Sequence, residues 1–569
     1  MMMNKNEWWK DAVVYQIYPQ SFKDSNNDGI GDINGIREKI PYLKDLGVNV
    51  LWLNPIYESP MVDNGYDISD YYKIADCYGT MEDFDNLLKE AHNAGIKIIM
   101  DLAVCASSIE HKWFKESKKS RDNKYSDYYI WKDPKEDGSA PNNWGSIFGS
   151  GSAWEYVEER GQYYLHLFAV EQPDLNWENP DLRKEVYDNM EFWLKKGIDG
   201  FRLDSISLIS KKQDFPDDPA AIENGYGSPY FGASNGPRVH EFLQEMYEKI
   251  SKLSKYDVMT VGEATRTCVD NALLYCQPER KELNMVFQFD HMHVDYGKFG
   301  RYSDLKFKLS DLKEAMFLWQ KSLNGVGWNS LYWDNHDQPR FVSRFGNDDS
   351  KYRKLSATML ATVLYFQQGT PFIYQGDEIG MTNVAFDSID SYKDIEAHNM
   401  YLKFSNMGLS NDEIMNYIHN KSRDNARTPM QWNSNSFAGF SCVDPWIGLN
   451  PNYSKINVEN DINSDFSIHD YYKKLIKYRK GNEIVRDGDF KEIGLEDSDI
   501  FSYTRTYKGK TLLVLGSFSD KKVCYNMPNN LQKFKRELVI SNYNGNIEQN
   551  KDASTLYLRP YEALVFYMY

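Results

Sequence analysis

The sequence predicts an α/β protein. Its main body is a closed (β/α)8 barrel, with a small domain inserted after the third strand and an antiparallel β-sandwich domain at the C-terminal end. Three observations predict it. Amphipathic stretches with apolar residues at three-to-four spacing alternate with short apolar runs over most of the chain, as helices do with buried parallel strands. One interruption, roughly residues 104–175, is rich in Trp, Tyr, Gly and Asp. After about residue 488 the alternation gives way to segments of period two, which read as half-buried antiparallel strands.

The elements follow in order. Val13–Tyr18 is the first strand. IREKIPYLKDLGVNVLWLNP supplies a helix, a glycine turn and the second strand, and LLKEAHNAGIKIIMDLAV repeats the unit for the third. VYDNMEFWLKKGIDGFRLDSI and FLQEMYEKISKLSKYDVMTVGEA give the fourth and fifth. Met285–Phe289 and Leu331–Trp333 are the sixth and seventh, and LSATMLATVLYFQQGTPFIYQGDE ends in the eighth. Eight such units fit a closed barrel better than an open sheet. No GxGxxG lies between a first strand and a helix, which weakens a dinucleotide-binding alternative. An interruption longer than about 15 residues carries function or structure of its own, so residues 104–175 are read as a domain overhanging the barrel mouth. The barrel then comprises 1–103 and 176–487. Residues 488–569, with FSYTRTYKGKTLLVLGSF and STLYLRPYEALVFYMY, form the β domain.

Composition narrows the function classes. The 569 residues carry 66 Lys+Arg against 83 Asp+Glu, a net charge of −17. That balance argues against non-specific nucleic-acid binding, which needs cations to neutralise phosphates. No run approaches the roughly 18 apolar residues of a membrane span, and MMMNKNEWWK has no apolar core of a secretory signal. The six cysteines are scattered without a CxxC pair, so reduced thiols in a cytoplasm are expected and a structural zinc site is not.

Strand ends matter because a barrel builds its active site on that face. Here the runs end in Asp101, Asp204, Glu263, Asp337 and Glu378. One carboxylate after a strand is often only a helix cap; five on one rim point to catalysis. Arg202 precedes Asp204 by two, so in a strand both side chains share a face, and a buried Arg holds a carboxylate ionised for nucleophilic attack. Glu263 ends an apolar run where desolvation suits a general acid. Asp337 follows His336 in DNHDQPR. Two carboxyl groups about 5–5.5 Å apart would hydrolyse a glycoside with retention.

VVYQIYPQSF, DNGYDISDYY, QPDLNWENP, GFRLDSI, NMVFQFDHM, NHDQPR and SRDNARTPMQW occur in this order over essentially the whole chain. The chain thereby resembles the α-amylase family of glycoside hydrolases, in its oligo-1,6-glucosidase and α-glucosidase branch. QPDLN (Gln172–Asn176) resembles the oligo-1,6-glucosidase form of its motif. The resemblance implies a retaining exo-α-glucosidase acting on short oligosaccharides, working as a monomer. Asp204 would be the nucleophile, Glu263 the acid/base, and Asp337 the carboxylate gripping the sugar hydroxyls in the transition state. Arg202 and His336 would support the sugar at subsite −1, with Asp63 and Tyr66 binding the terminal glucose. Arg423, rather than Arg427, would pair with a carboxylate or hydroxyl at the pocket wall. Alternatives are a trehalose-6-phosphate hydrolase, although no basic cluster is visible in the sequence, and a sucrose-converting transglucosylase. Outside the class stands a catalytically weakened sugar-binding homologue.

Departures from the family bear on specificity. Where relatives read DxVxNHT, this chain has DLAVCASS, with Cys105 and Ala106 at the Asn and His positions. That His bonds the 6-hydroxyl of the −1 glucose; a charge-assisted bond is worth about 1.5–3 kcal/mol. The change fits either a weakened glucosidase or a pocket widened for a sugar altered at C6. Cys105 reads as a packed thiol, with nothing basic seen beside it to activate it. Ser205 and Ala264–Arg266 also depart, which leaves linkage preference open.

Residues 24–32 read DSNNDGIGD. Asp24, Asn26, Asp28, the Ile30 carbonyl and Asp32 fall at alternate positions around Gly29, as in the first nine positions of an EF-hand loop. Gly35 stands where the bidentate Glu would be, and a strand precedes the loop. The resemblance implies a structural Ca2+, or Mg2+, with no organic cofactor.

Overall fold

The computed structural model describes residues 7–149, 151–220, 225–253, 257–550 and 554–569. Eight parallel strands form the central sheet: β1 (Val14–Ile17), β2 (Val50–Leu53), β3 (Lys97–Ala103), β4 (Gly200–Asp204), β5 (Met259–Glu263), β6 (Met285–Phe287), β7 (Ser330–Leu331) and β8 (Thr370–Tyr374). Neighbours run β6-β5-β4-β3-β2-β1-β8-β7. A parallel bridge from Val286 of β6 to Asn329 beside β7 closes the ring. Trp52, Phe287 and Phe372 meet with ring centroids 5.4 and 4.6 Å apart and are 1–3% exposed. The barrel is therefore a packed core, not a pore.

Local chemistry sets the outer helices. In α1 (Met81–Asn93), Thr80 and Asp83 form a reciprocal capping box. In α2 (Pro180–Lys196), Asn179 caps the first turn, Pro180 takes a position with no amide to satisfy, and Gly197 closes the end at φ 112°. That turn delivers the chain into β4, which carries Arg202 and Asp204.

Three expected strands are shorter than read. The first spans Val14–Ile17 rather than Val13–Tyr18. The sixth stops at Phe287, because Phe289 turns to φ −119°, ψ 3° and a 3-10 turn begins at Asp290. The seventh pairs only at Ser330–Leu331, although Tyr332 and Trp333 stay buried beyond it. Apolar side chains that fill the core after pairing has ended look like strand in a sequence.

Beyond β3, Trp131–Lys132, Gln162–Leu165 and Trp154–Val157 make a small antiparallel sheet. Its own apolar cluster includes Trp144, Trp154 and Leu165. At the C-terminal end a five-stranded antiparallel sheet and a three-stranded one enclose another cluster. Lys313 Nζ crosses from a barrel helix to the carbonyls of Gly494, at 2.6 Å, and Ile500, at 3.2 Å.

Candidate active site

Arg202 and Asp204 lie on one face of β4, and β3 pairs so that Asp101 stands beside Arg202. The guanidinium, 1% exposed, meets Asp101 Oδ1 at 2.8 Å and Asp204 Oδ1 at 2.6 Å through Nη1, and Glu263 Oε2 at 2.7 Å through Nη2. Glu263 ends the adjacent strand β5. Immediately after Asp204, Ser205 adopts a left-handed conformation, φ 46° and ψ 37°, uncommon for a residue with a side chain. The turn aims its backbone N–H at Glu263 Oε2, 3.1 Å away. Two carboxyl groups are thus fixed side by side at the C-terminal rim. Burial pushes the Asp204 carboxyl well above its ordinary value, Arg202 pulls it back, and Glu263 adds to the rise.

Asp337 sits in the loop after β7. Arg427 Nη2 reaches its Oδ1 at 2.7 Å, Arg423 Nη1 reaches the same oxygen at 3.4 Å, and His336 Nε2 lies 3.1 Å from its Oδ2. Burial alone would raise this carboxyl; His336, Arg423 and Arg427 instead hold it well below the usual range. Gln16, in β1, stands with Nε2 2.8 Å from His336 Nδ1 and 2.9 Å from Asn54 Oδ1. An amide donating to Nδ1 leaves the ring proton on Nε2, which lies 2.7 Å from the Tyr66 hydroxyl and 3.1 Å from Asp337 Oδ2.

The DNGYD loop follows β2. Asp67 shapes it by accepting from the backbone of Val62 and Asp63, at 3.0 and 3.1 Å. Tyr66 lies parallel to His336, with planes 6° apart and centroids 5.3 Å apart. Its hydroxyl is held by Asp101 at 2.8 Å and His336 at 2.7 Å, which leaves the ring, not the hydroxyl, for a sugar. Asp63 accepts from Gln172 of QPDLN at 3.1 Å and from Arg423 at 3.2 Å. Burial pushes its carboxyl up to about 7 against the pull of Arg423.

Asp63, Asp204, Glu263, Asp337 and Arg423 line one cavity of about 390 Å³. The structure brings together at this cavity every catalytic and sugar-binding residue singled out in the sequence, Tyr66 on its wall and Arg202, His336 and Arg427 directly behind. Glu378 does not join them. It is fully buried after β8, where it accepts from Tyr15 and Tyr42 at 2.8 and 2.7 Å.

Asp394 escaped the sequence reading. It accepts from Arg423 Nε at 3.0 Å and Nη2 at 2.6 Å and caps α3 (Ile395–Asn406) through the Glu396 N–H at 3.0 Å. Burial opposes it, but Arg423 and then Arg427 hold its carboxyl at about 2. The only signal for it was a cap residue before an amphipathic run. The structure also gathers cations that lie far apart in sequence. Arg266, Arg301 and Lys403 line the cavity; Arg301 pairs with Glu396 at 3.1 Å, while no ion pair engages Arg266 or Lys403 among the described residues.

Cys105 and Ala106 stand behind this lining. Cys105 Sγ lies 3.7 Å from Asp174 Oδ2, and Lys211 Nζ meets Asp174 Oδ1 at 2.5 Å. A base does stand near the thiol, yet burial dominates and pushes the thiol well up, as expected of a packed residue. Ala106, 4% exposed, is bridged through its backbone to Asp174.

The 24–32 loop is folded by its own side chains. Asp24 accepts from the N–H groups of Asn26 at 3.0 Å, Asn27 at 2.7 Å and Gly29 at 2.9 Å, and Asp32 caps the next helix through Gly35 N–H at 2.7 Å. A Cβ on Gly29 would lie 2.4 Å from the Asp444 carbonyl oxygen, so only glycine fits. The side-chain donors are all oxygens, the set a Ca2+ prefers. Among the described residues no three acidic, His or Cys side chains converge as a preformed cage.

A barrel with three carboxylates gathered at its C-terminal rim defines a class, and family comparison gives the same one. Residues 16–488 match the alpha amylase catalytic domain, and residues 500–565 match the alpha-amylase SusG C-terminal domain. The chain belongs to the α-amylase family and is a glycoside hydrolase. It is 54% identical to an oligo-1,6-glucosidase of Parageobacillus thermoglucosidasius, over 98% of each chain. It is 50% identical to the trehalose-6-phosphate hydrolase of Bacillus subtilis (strain 168), over 100% of this chain and 99% of that one. The crystal structure of the Bacillus licheniformis trehalose-6-phosphate hydrolase superposes with a TM-score of 0.92 at 48% identity, covering 99% of this chain and 100% of that one.

Proposed function

We propose that this protein is a retaining exo-α-glucosidase that releases terminal glucose from short isomalto-oligosaccharides. The observation that carries the reading is the single Arg202 guanidinium clasping both Asp204 and Glu263. Retention needs the two carboxyl groups about 5–5.5 Å apart, whereas inversion needs about 6.5–9.5 Å, and adjacent nitrogens of one planar guanidinium favour the shorter range. Asp204 attacks the anomeric carbon as Glu263 gives its proton to the departing glycosidic oxygen. Glu263, now a carboxylate, then takes a proton from the water that displaces Asp204. Asp337, kept ionised by His336, Arg423 and Arg427, grips the sugar hydroxyls, and Asp63 holds the terminal glucose. The test is product stereochemistry on isomaltose by proton NMR. α-Glucose as the first product supports the reading; β-glucose, or no turnover, removes it.

A second reading has its own support. Arg266 and Lys403, which line the cavity and make no ion pair among the described residues, suit an anionic leaving sugar such as the glucose 6-phosphate released from trehalose 6-phosphate. Comparing kcat/KM on isomaltose and trehalose 6-phosphate separates the two. The protein would act as a cytoplasmic monomer.

The 24–32 loop would take a structural Ca2+ through Asp24, Asn26, Asp28, the Ile30 carbonyl and Asp32, once the carboxylates exchange their backbone N–H partners for the ion. The expected outcome is a Tm that rises with added Ca2+ and falls with chelator while turnover persists below Tm; a Tm indifferent to both removes it.

A further inference from the structure

We propose that Tyr226 is a sugar-stacking platform just outside the cavity, receiving the third glucosyl unit of an isomalto-oligosaccharide; this rests on the glucosidase reading above. Tyr226 is 41% exposed. Its position is fixed from beneath. A Cβ built on Gly145 would lie 3.0 Å from the Tyr226 Cβ, and one on Gly151 would lie 3.8 Å from its hydroxyl. The side chain thus lies across two glycines with no side chains of their own. The backbone beneath it is tied: Gly145 N–H donates to the Gly227 carbonyl at 2.9 Å, Gly227 N–H donates to Asn143 at 2.7 Å, and Ser146 N–H closes the turn on Gly151 at 2.9 Å.

Both segments that flank the ring reach the cavity. Ser146–Gly149 line it on one side of Tyr226, and Pro229 and Tyr230 on the other. With the terminal glucose held at Asp63, Asp204 and Asp337, the rest of an oligosaccharide can extend past this part of the rim. The Tyr226 hydroxyl makes no hydrogen bond to the described residues, so both its ring and its polar end remain for a ligand. A sugar offers the matching chemistry, a C–H face for the ring and hydroxyls for the phenol.

The test uses the full-length enzyme and the ratio of kcat/KM on isomaltotriose to that on isomaltose, which is too short to reach Tyr226 and serves as internal reference. Tyr226→Ala should lower the ratio about two- to tenfold, the range of one aromatic contact, and Tyr226→Phe should retain most of it. Equal losses on both sugars would mean that the ring only supports the turn, and no loss on either would mean that it touches no substrate. Both results overturn the proposal. Binding is read separately by calorimetry with isomaltotriose on Glu263→Gln, with and without Tyr226→Ala. Weaker binding of the double variant supports the platform; equal binding, or none to either, overturns it. A wild type that binds isomaltotriose through Tyr226 yet turns over neither sugar would refute the glucosidase reading alone.

Discussion

Asp394 offers a quantitative test of how the site is held together. Its carboxyl, ordinarily titrating near 3.8, is held at about 2 by its arginines. Each pKa unit is worth about 1.4 kcal/mol, so the ionised group contributes about 2–3 kcal/mol to folding at neutral pH. The sign follows from the depression: the contribution is present in full above the unfolded value and is lost as pH falls through about 4 to 2. Asp394→Asn keeps the size and the helix cap, since Asn caps as well as Asp, and removes only the charge. Arg423 retains Asp63 and Asp337, so the cost stays below the roughly 3–5 kcal/mol of orphaning a buried charge. Urea unfolding should therefore show the variant about 2–3 kcal/mol less stable at pH 7 and about half as much less stable at pH 3. A loss that is the same at both pH values, or below about 0.5 kcal/mol at pH 7, would refute this account of Arg423.

Three further outcomes follow from the site. Glu263→Gln should lower kcat/KM on isomaltose about 10²- to 10⁴-fold, but much less on an aryl glucoside whose leaving group needs no proton; steady-state kinetics on both substrates checks this. Ala106→His should raise kcat/KM on aryl α-glucosides about ten- to a hundredfold if a bond to the 6-hydroxyl is what the chain lacks. No gain, with a preference for α-xyloside, would mark a pocket suited to a sugar without that hydroxyl. Cys105→Asn should stabilise the protein by about 1 kcal/mol by giving Asp174 Oδ2 an amide donor in place of a thiol, measurable as a raised urea midpoint.

The barrel was legible in the sequence because parallel strands covered on both faces read as unbroken apolar runs between amphipathic helices. Asp204 and Glu263 were legible because each closes such a run. Glu378 closes one too, but the chain turns inward after Tyr374 and buries it against two tyrosine hydroxyls from elsewhere in the barrel, a tertiary event with no local mark. The ends of β6 and β7 were misplaced because Phe289, Tyr332 and Trp333 keep packing after their backbones leave the ladder. Asp394, Arg266 and Lys403 could not be assigned from the sequence, since each is brought to the site by packing between segments far apart in the chain. Arg427 ranked below Arg423 as a pocket-wall residue, yet it makes the shorter contact with Asp337.

The most direct measurement of the central claim is to trap the reaction halfway. Incubating the enzyme with a fluorinated glucosyl fluoride, then digesting and sequencing by mass spectrometry, should find one fluoroglucosyl unit esterified to the peptide carrying Asp204, and none in Asp204→Asn. A label on another residue, or an active enzyme that never acquires one, would contradict double displacement through Asp204.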